Sequence, residues 1–175
     1  MERTRDHDDH QAFALLMKRW EAPVERLCYR MLGDAHLAED MRQETFARLF
    51  ASRSRYTRRA KFSTYIWRIA INRCLDELRR KRRETEAMER MDPPTFAAPS
   101  AEAELIQREE AEAVRRAVMS LDEKYRAVVA LRHYEGLKFR ETAEILDIPV
   151  GTAKSRMAEA LNQLARRLKP LLRRR

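Results

Sequence analysis

Residues 136–156 constrain this chain more than any other stretch. Within them Glu141, Thr142, Ala143, Glu144, Ile145 and Leu146 read as a short helix, with the small Ala143 where a second helix must cross closely. Asp147-Ile148-Pro149 interrupts it, because proline lacks the N–H that a helix interior requires. Gly151-Thr152-Ala153-Lys154-Ser155-Arg156 then opens a second helix, apolar-striped to about Leu168. At the helical period Ala153, Met157, Ala160, Leu161, Leu164 and Leu168 fall on one arc, which predicts the packed side. Thr152, Ser155, Glu159, Asn162 and Arg166 lie opposite, with Lys154 and Arg156 on the shoulders. A solvated amphipathic helix would also be polar there, but through Glu/Lys pairs. Donors and acceptors mixed, starting right after a tight turn, imply a helix-turn-helix that reads DNA.

Charge divides the chain into four blocks. Residues 1–54 carry 9 basic and 10 acidic side chains, 55–83 carry 11 against 2, 84–113 carry 2 against 9, and 114–175 carry 15 against 7. Two basic surfaces, net +9 and +8, are thus separated by an acidic segment of net −7. The overall net charge of +9 suits a polyanionic partner. Asp92-Pro93-Pro94 and Ala98-Pro99-Ser100 disfavour helix and mark the acidic segment as a linker. With only 3 glycines and no alternating strand-like run, the expected fold is all-α. Two small helical domains, 10–88 and 109–175, are expected on either side of a flexible acidic linker, 89–108.

Residues 1–10 are charged throughout, and the most apolar run, residues 65–71, is broken by Arg68, so no secretory or membrane-inserted segment is expected. Cys28 and Cys74 sit at apolar helical positions and read as reduced core residues of a cytoplasmic protein. His7, Asp8, Asp9 and His10 have ligand chemistry but read as a solvated tail, so neither metal nor cofactor is expected. No histidine, cysteine or carboxylate has the company a nucleophile or metal site needs, which argues against an enzyme such as a recombinase.

The first domain reads as helices throughout. Phe13, Leu16, Trp20, Val24, Leu27, Cys28, Met31 and Leu32 recur at three- and four-residue steps and stop at Gly33. Asp34 is placed to cap a second helix, whose buried arc is Ala38, Met41, Thr45 and Leu49 and whose outer arc is Asp40, Gln43, Glu44 and Ala47. Ser63 is expected to begin the longest helix, with Phe62 and Trp67 as a hydrophobic staple. Its apolar side is Ile66, Trp67, Ala70, Ile71, Cys74, Leu75 and Leu78. The narrow opposite stripe is Tyr65, Arg68, Asn72, Asp76, Arg79 and Arg83. Few carboxylates are available within that helix to pair so many cations.

Four segments, in order, resemble the bacterial sigma factors of the extracytoplasmic-function group. They are Ala38-Glu39-Asp40-Met41-Arg42-Gln43-Glu44-Thr45-Phe46, Phe62-Ser63-Thr64-Tyr65-Ile66-Trp67-Arg68-Ile69-Ala70-Ile71-Asn72, Leu121-Asp122-Glu123-Lys124-Tyr125-Arg126, and Gly151-Thr152-Ala153-Lys154-Ser155-Arg156. The resemblance covers nearly the whole chain. It implies a dissociable RNA polymerase subunit that directs promoter recognition, its first domain gripping a coiled coil of the β′ subunit and capturing unstacked minus-ten bases. The second domain would read the minus-thirty-five element as duplex. Carried over by motif, Asp40, Gln43 and Glu44 face polymerase, and Phe46 reads as core. Arg58, Arg59, Lys61, Tyr65, Arg68, Asn72, Arg79 and Arg83 face melted minus-ten DNA, where cations and stacking surfaces hold single strands. Thr152, Lys154, Ser155, Arg156, Glu159, Asn162 and Arg166 face the upstream duplex. Members of the family are often held by an anti-sigma factor that covers the same surfaces.

Ala158 and Glu159 depart from the bulky or basic residues common there in the family. Ala158 offers a methyl contact, and Glu159 can accept from cytosine N4. The rival reading is a stand-alone helix-turn-helix regulator. It would need a dimerisation surface for paired half-sites, and no heptad run supplies one.

Overall fold

The computed structural model describes residues 1, 4, 9–56, 61–88 and 105–172. Among the described residues seven α-helices can be followed: α1 (His10–Leu32), α2 (Ala35–Ala51), α3 (Phe62–Met88), α4 (Leu105–Met119), α5 (Glu123–Val129), α6 (Phe139–Leu146) and α7 (Val150–Leu172). Among the described residues there is no strand, as the all-α expectation requires. Helices α1–α3 pack as one bundle, and α7 packs against α4, α5 and α6 as a second. The expected linker lies outside the described residues up to position 104, and α4 already begins at Leu105.

Helix ends follow local chemistry. Asp9 Oδ1 accepts from Ala12 N at 2.8 Å and Asp34 Oδ1 from Leu37 N at 3.1 Å, capping α1 and α2. Gly33 closes α1 in the left-handed region at φ +72°, its N–H donating to Tyr29 O. A Cβ at Gly33 would also meet Met119 Cε at 2.7 Å, so glycine lets the end of α4 approach. Helix α3 starts at Phe62, one residue before the expected Ser63. Phe62 and Trp67, the expected staple pair, both meet Trp20 of α1 edge-on, with centroids 5.7 and 5.3 Å away.

The first core takes Val24, Leu27, Cys28 and Met31 from α1, Ala38, Met41, Phe46 and Leu49 from α2, and Ile66, Trp67, Ala70, Ile71 and Cys74 from α3. Each large apolar side chain buried there contributes about 1.5–3 kcal/mol. Thr45 is buried with them, its hydroxyl returned to Met41 O at 2.6 Å.

The second bundle has a small core of its own, Leu121, Val129 and Ala160 with Tyr125, Met157 and Leu164. More of its apolar surface, through Ala127, Ala130, Leu131 and Ile145, joins the core of the first bundle. Between α5 and α6 the chain makes a π-helical turn, Ala130–Tyr134, closed by Glu135 N to Ala130 O at 3.1 Å. Asp147 ends α6 at φ 52°, a conformation that a short polar side chain tolerates, and Ile148 N donates to Ala143 O at 3.0 Å. Ala153 and Ala160 are fully buried where α7 meets its neighbours. Leu161 departs from the expected packed arc: it is 52% exposed, on an edge of α7 that those neighbours do not cover.

Candidate nucleic-acid interface

Asp40, Gln43 and Glu44 are all exposed on the outer face of α2, opposite the buried Met41, Thr45 and Phe46. Gln43 Nε2 leans on Glu39 Oε1 at 3.4 Å, and Arg42 pairs with Glu25 at 3.1 Å. The face therefore keeps two uncommitted carboxylates beside an amide, chemistry suited to a basic helix.

A pocket of about 300 Å³ opens between the end of α2 and the first turns of α3. Its lining includes Arg48, Ser52, Tyr65, Ile69, Asn72 and Arg73. The Tyr65 hydroxyl is tied to Ser52 Oγ at 2.7 Å, which fixes the ring as one wall. Arg73 and Arg79 share the Asp76 carboxylate, Arg79 at 3.3 Å, and Arg83 is exposed further along α3. An aromatic wall, a carboxamide and guanidinium groups around one small cavity can hold a single unstacked base with its phosphate outside. Tyr65 and Asn72 thus come together, whereas Arg79 and Arg83 lie along the helix beyond them. Arg58 and Arg59 fall outside the described residues.

On α7 the exposed residues include Lys154, Ser155, Ala158, Leu161, Asn162, Ala165 and Arg166. Thr152, Arg156 and Glu159 are half-buried on its shoulders. Glu159 accepts from Gln163 Nε2 at 2.9 Å, and Ser155 Oγ donates to Thr152 O at 3.1 Å. The outward face therefore centres on Ser155, Ala158 and Asn162, turned away from Glu159 relative to the arc drawn from the sequence.

The two bundles meet through charge as well as through their shared core. Arg30 of α1 pairs with Glu135 at 2.8 Å, and its guanidinium lies 4.3 Å from the Tyr134 ring centroid. Burial pushes the Glu135 carboxyl above its usual range, with Arg30 opposing. Arg126, only 8% exposed, donates to Met31 O across the interface. Lys61 Nζ meets Glu141 Oε1 at 2.7 Å, and Arg68 donates to the Glu144 carbonyl. The Lys61 hydrogen bond holds the Glu141 carboxyl below its ordinary value and raises the Lys61 ammonium. Beside these contacts an apolar groove of about 540 Å³, lined by Tyr29, Val114, Met119 and Tyr134 among others, runs between α1 and α4.

Residues 16–84 match the family described as Sigma-70 region 2, and residues 111–164 match Sigma-70, region 4. The chain is 32% identical to the ECF RNA polymerase sigma factor SigW of Bacillus subtilis, over 93% of this chain and 92% of that protein. It belongs to the ECF family of RNA polymerase sigma factors. The RNA polymerase sigma-H factor of Pseudomonas aeruginosa is 30% identical over 94% of this chain and 90% of its own. In fold, the chain is similar to the sigma factor RpoE from Bartonella quintana, solved in complex with the anti-sigma factor NepR. That match has a TM-score of 0.72 at 20% identity, covering 91% of this chain and 98% of that one.

As a sigma factor the chain divides with its charge blocks: region 2 covers the acidic α2 face and the basic α3, and region 4 the helix-turn-helix. Among the described residues no helix is long and apolar enough to cross a membrane, and no cluster of three or more histidine, cysteine or carboxylate groups could hold a metal ion. Ser52, Arg48 and Arg73, which line the pocket, were not among the residues expected from sequence. A lone serine at a helix end carries no signal until Tyr65 is seen to bond it.

Proposed function

We propose that this sigma factor joins core RNA polymerase through Asp40, Gln43 and Glu44, seating them on the β′ coiled coil. The minus-ten element is then captured as single strand along the start of α3, with one unstacked base entering the pocket between Tyr65 and Asn72. Arg68, Arg79, Arg83 and Lys61, with Arg58 and Arg59 of the preceding segment, hold the phosphates. The upstream minus-thirty-five duplex takes α7 in its major groove. Ser155 and Asn162 face base edges, Lys154 and Arg166 face phosphate, and Thr152, Arg156 and Glu159 flank them. The observation that carries this reading is the pocket itself: an aromatic, an amide and cations converge there with no carboxylate in its lining. The groove between α1 and α4 is the surface we assign to an anti-sigma factor, because Tyr29, Val114 and Tyr134 are exposed apolar side chains within it.

The test separates melting from binding. Asn72→Ala with Tyr65→Ala should impair open-complex formation on duplex promoter more than on a pre-melted template, because only the first must recover a few kcal/mol of unstacking. Equal defects on both templates would reduce these side chains to phosphate or structural contacts. Charge reversal at Asp40 and Glu44 should weaken capture of core polymerase with helical content unchanged. Unaltered capture refutes that face.

A further inference from the structure

Two cations assigned to the minus-ten strand already hold partners inside the folded chain, and both partners belong to α6. Glu141 Oε1 sits 2.7 Å from Lys61 Nζ, while its Oε2 accepts from Lys138 N at 2.9 Å, so the carboxylate is fixed on the first turn of α6. The Glu144 carbonyl that accepts from Arg68 lies in the last turn, where unpaired carbonyls concentrate partial negative charge. Helix α6 thus offers α3 one full negative charge and one helix C-terminus, at cations that a phosphate backbone would otherwise occupy. Its other face is the apolar side of the helix-turn-helix, with Ile145 reaching the shared core.

We infer that α6 is an intramolecular stand-in for the minus-ten DNA backbone. In the closed chain it masks Lys61 and Arg68, and single-stranded DNA reaches them only when region 4 lifts away from region 2. This rests on the assignment of Lys61 and Arg68 to minus-ten DNA. The polar share of the interface suits a contact that opens. Arg30 is held by Glu135 and the Tyr134 ring, and Arg115 reaches Gly33 O at 3.5 Å. Lys61 is 74% exposed, so water and salt compete with Glu141 for it. Masking and opening are therefore coupled: DNA that takes Lys61 and Arg68 removes two of the ties holding region 4 in place.

The test uses the full chain with two readouts. Dyes on Leu15→Cys and Lys124→Cys, both at exposed positions away from the proposed DNA and polymerase contacts, report separation of the bundles by energy transfer; the native Cys28 and Cys74 are buried. Fluorescence anisotropy reports binding of a labelled single-stranded DNA of random sequence. Glu141→Gln should raise affinity about two- to fivefold, the worth of an exposed ion pair. Arg30→Ala, which touches no proposed DNA contact, should raise it similarly. Excess DNA should lower energy transfer in the parent chain. Lys61→Ala, made in the Arg30→Ala background, tests the underlying assignment. If it leaves binding unchanged, Lys61 is no DNA contact and the masking falls with it. If it weakens binding while Glu141→Gln and Arg30→Ala leave affinity unmoved, the minus-ten assignment stands and the masking alone is refuted. Unaltered energy transfer in the parent at saturating DNA also refutes it.

Discussion

Replacing Arg126 tests most directly how the two bundles are joined. Its guanidinium donates to Met31 O at 2.5 Å, Met119 O at 2.6 Å and Leu121 O at 2.9 Å. Met31 lies in the last turn of α1 and Met119 ends α4, so one buried cation sits on the negative ends of two helices from different bundles. Burial lowers its pKa, but an arginine starts far above neutrality and stays charged. Hydrogen bonds from a charged donor contribute about 1.5–3 kcal/mol each, and burying the charge opposes them by several kcal/mol. Alanine removes both terms and adds a third: carbonyls left without donors, at about 1–3 kcal/mol each where water does not reach. The expected loss for Arg126→Ala is about 3–4 kcal/mol, a large part of the roughly 5–15 kcal/mol that holds a domain folded. Arg126→Lys keeps the charge and three donors without the planar fork, and should lose about 1–2 kcal/mol. Urea unfolding followed by circular dichroism measures both, with energy transfer across the bundles as a second readout. A loss below about 1 kcal/mol for alanine, or a lysine variant no better than alanine, would refute the carbonyl-bridging account.

Gly33→Ala should lower stability by about 1–2 kcal/mol, through strain at positive φ and collision with Met119, and Met119→Ala should restore part of it; a double-mutant cycle with no coupling contradicts the close approach. Thermal stability should be level from neutral pH down to about 5 and fall below about 4.5. The reason is that the Leu37 N–H, Arg80 and Lys61 hold Asp34, Glu77 and Glu141 below their ordinary carboxyl values. Each binds protons less readily folded than unfolded, so its contribution is present above the unfolded value and lost as pH falls through the folded one. Glu135, raised by burial, acts in the opposite sense and above its ordinary value, so a melting temperature that climbs as pH falls from neutral toward about 4.5 would mean that it dominates. On α7, Asn162→Ala should relax preference at one upstream position by about 1–3 kcal/mol, while Lys154→Ala weakens all sequences alike and flattens the salt dependence. Glu159→Ala should do less than Asn162→Ala in a selection on randomised upstream elements, since Gln163 holds its carboxylate, and the reverse order would overturn the orientation of the face.

Some of this was legible along the chain because its signals act within a turn or two. The spacing of Val24, Leu27, Cys28 and Met31, the stop at Gly33, the cap at Asp34 and the break at Asp147-Ile148-Pro149 each depend on near neighbours, and each appears in the structure where expected. The same locality placed Phe46 and Trp67 in the core and Asp40, Gln43 and Glu44 outside it. Periodicity says which side of a helix is apolar, but not how far a neighbour reaches around it. Leu161 therefore stands 52% exposed at the edge of an apolar arc, and Glu159 turns toward Gln163 on the shoulder. Nor could sequence reveal that Lys61 finds Glu141 from 80 residues away, or Arg126 the Met31 carbonyl from 95. Along a chain so rich in charge, every cation has many conceivable partners. Which pairs form was decided by the docking of region 4 onto region 2, where burial of Leu131 and Ile145 brings α6 against α3 and so selects the carboxylate that lies over Lys61.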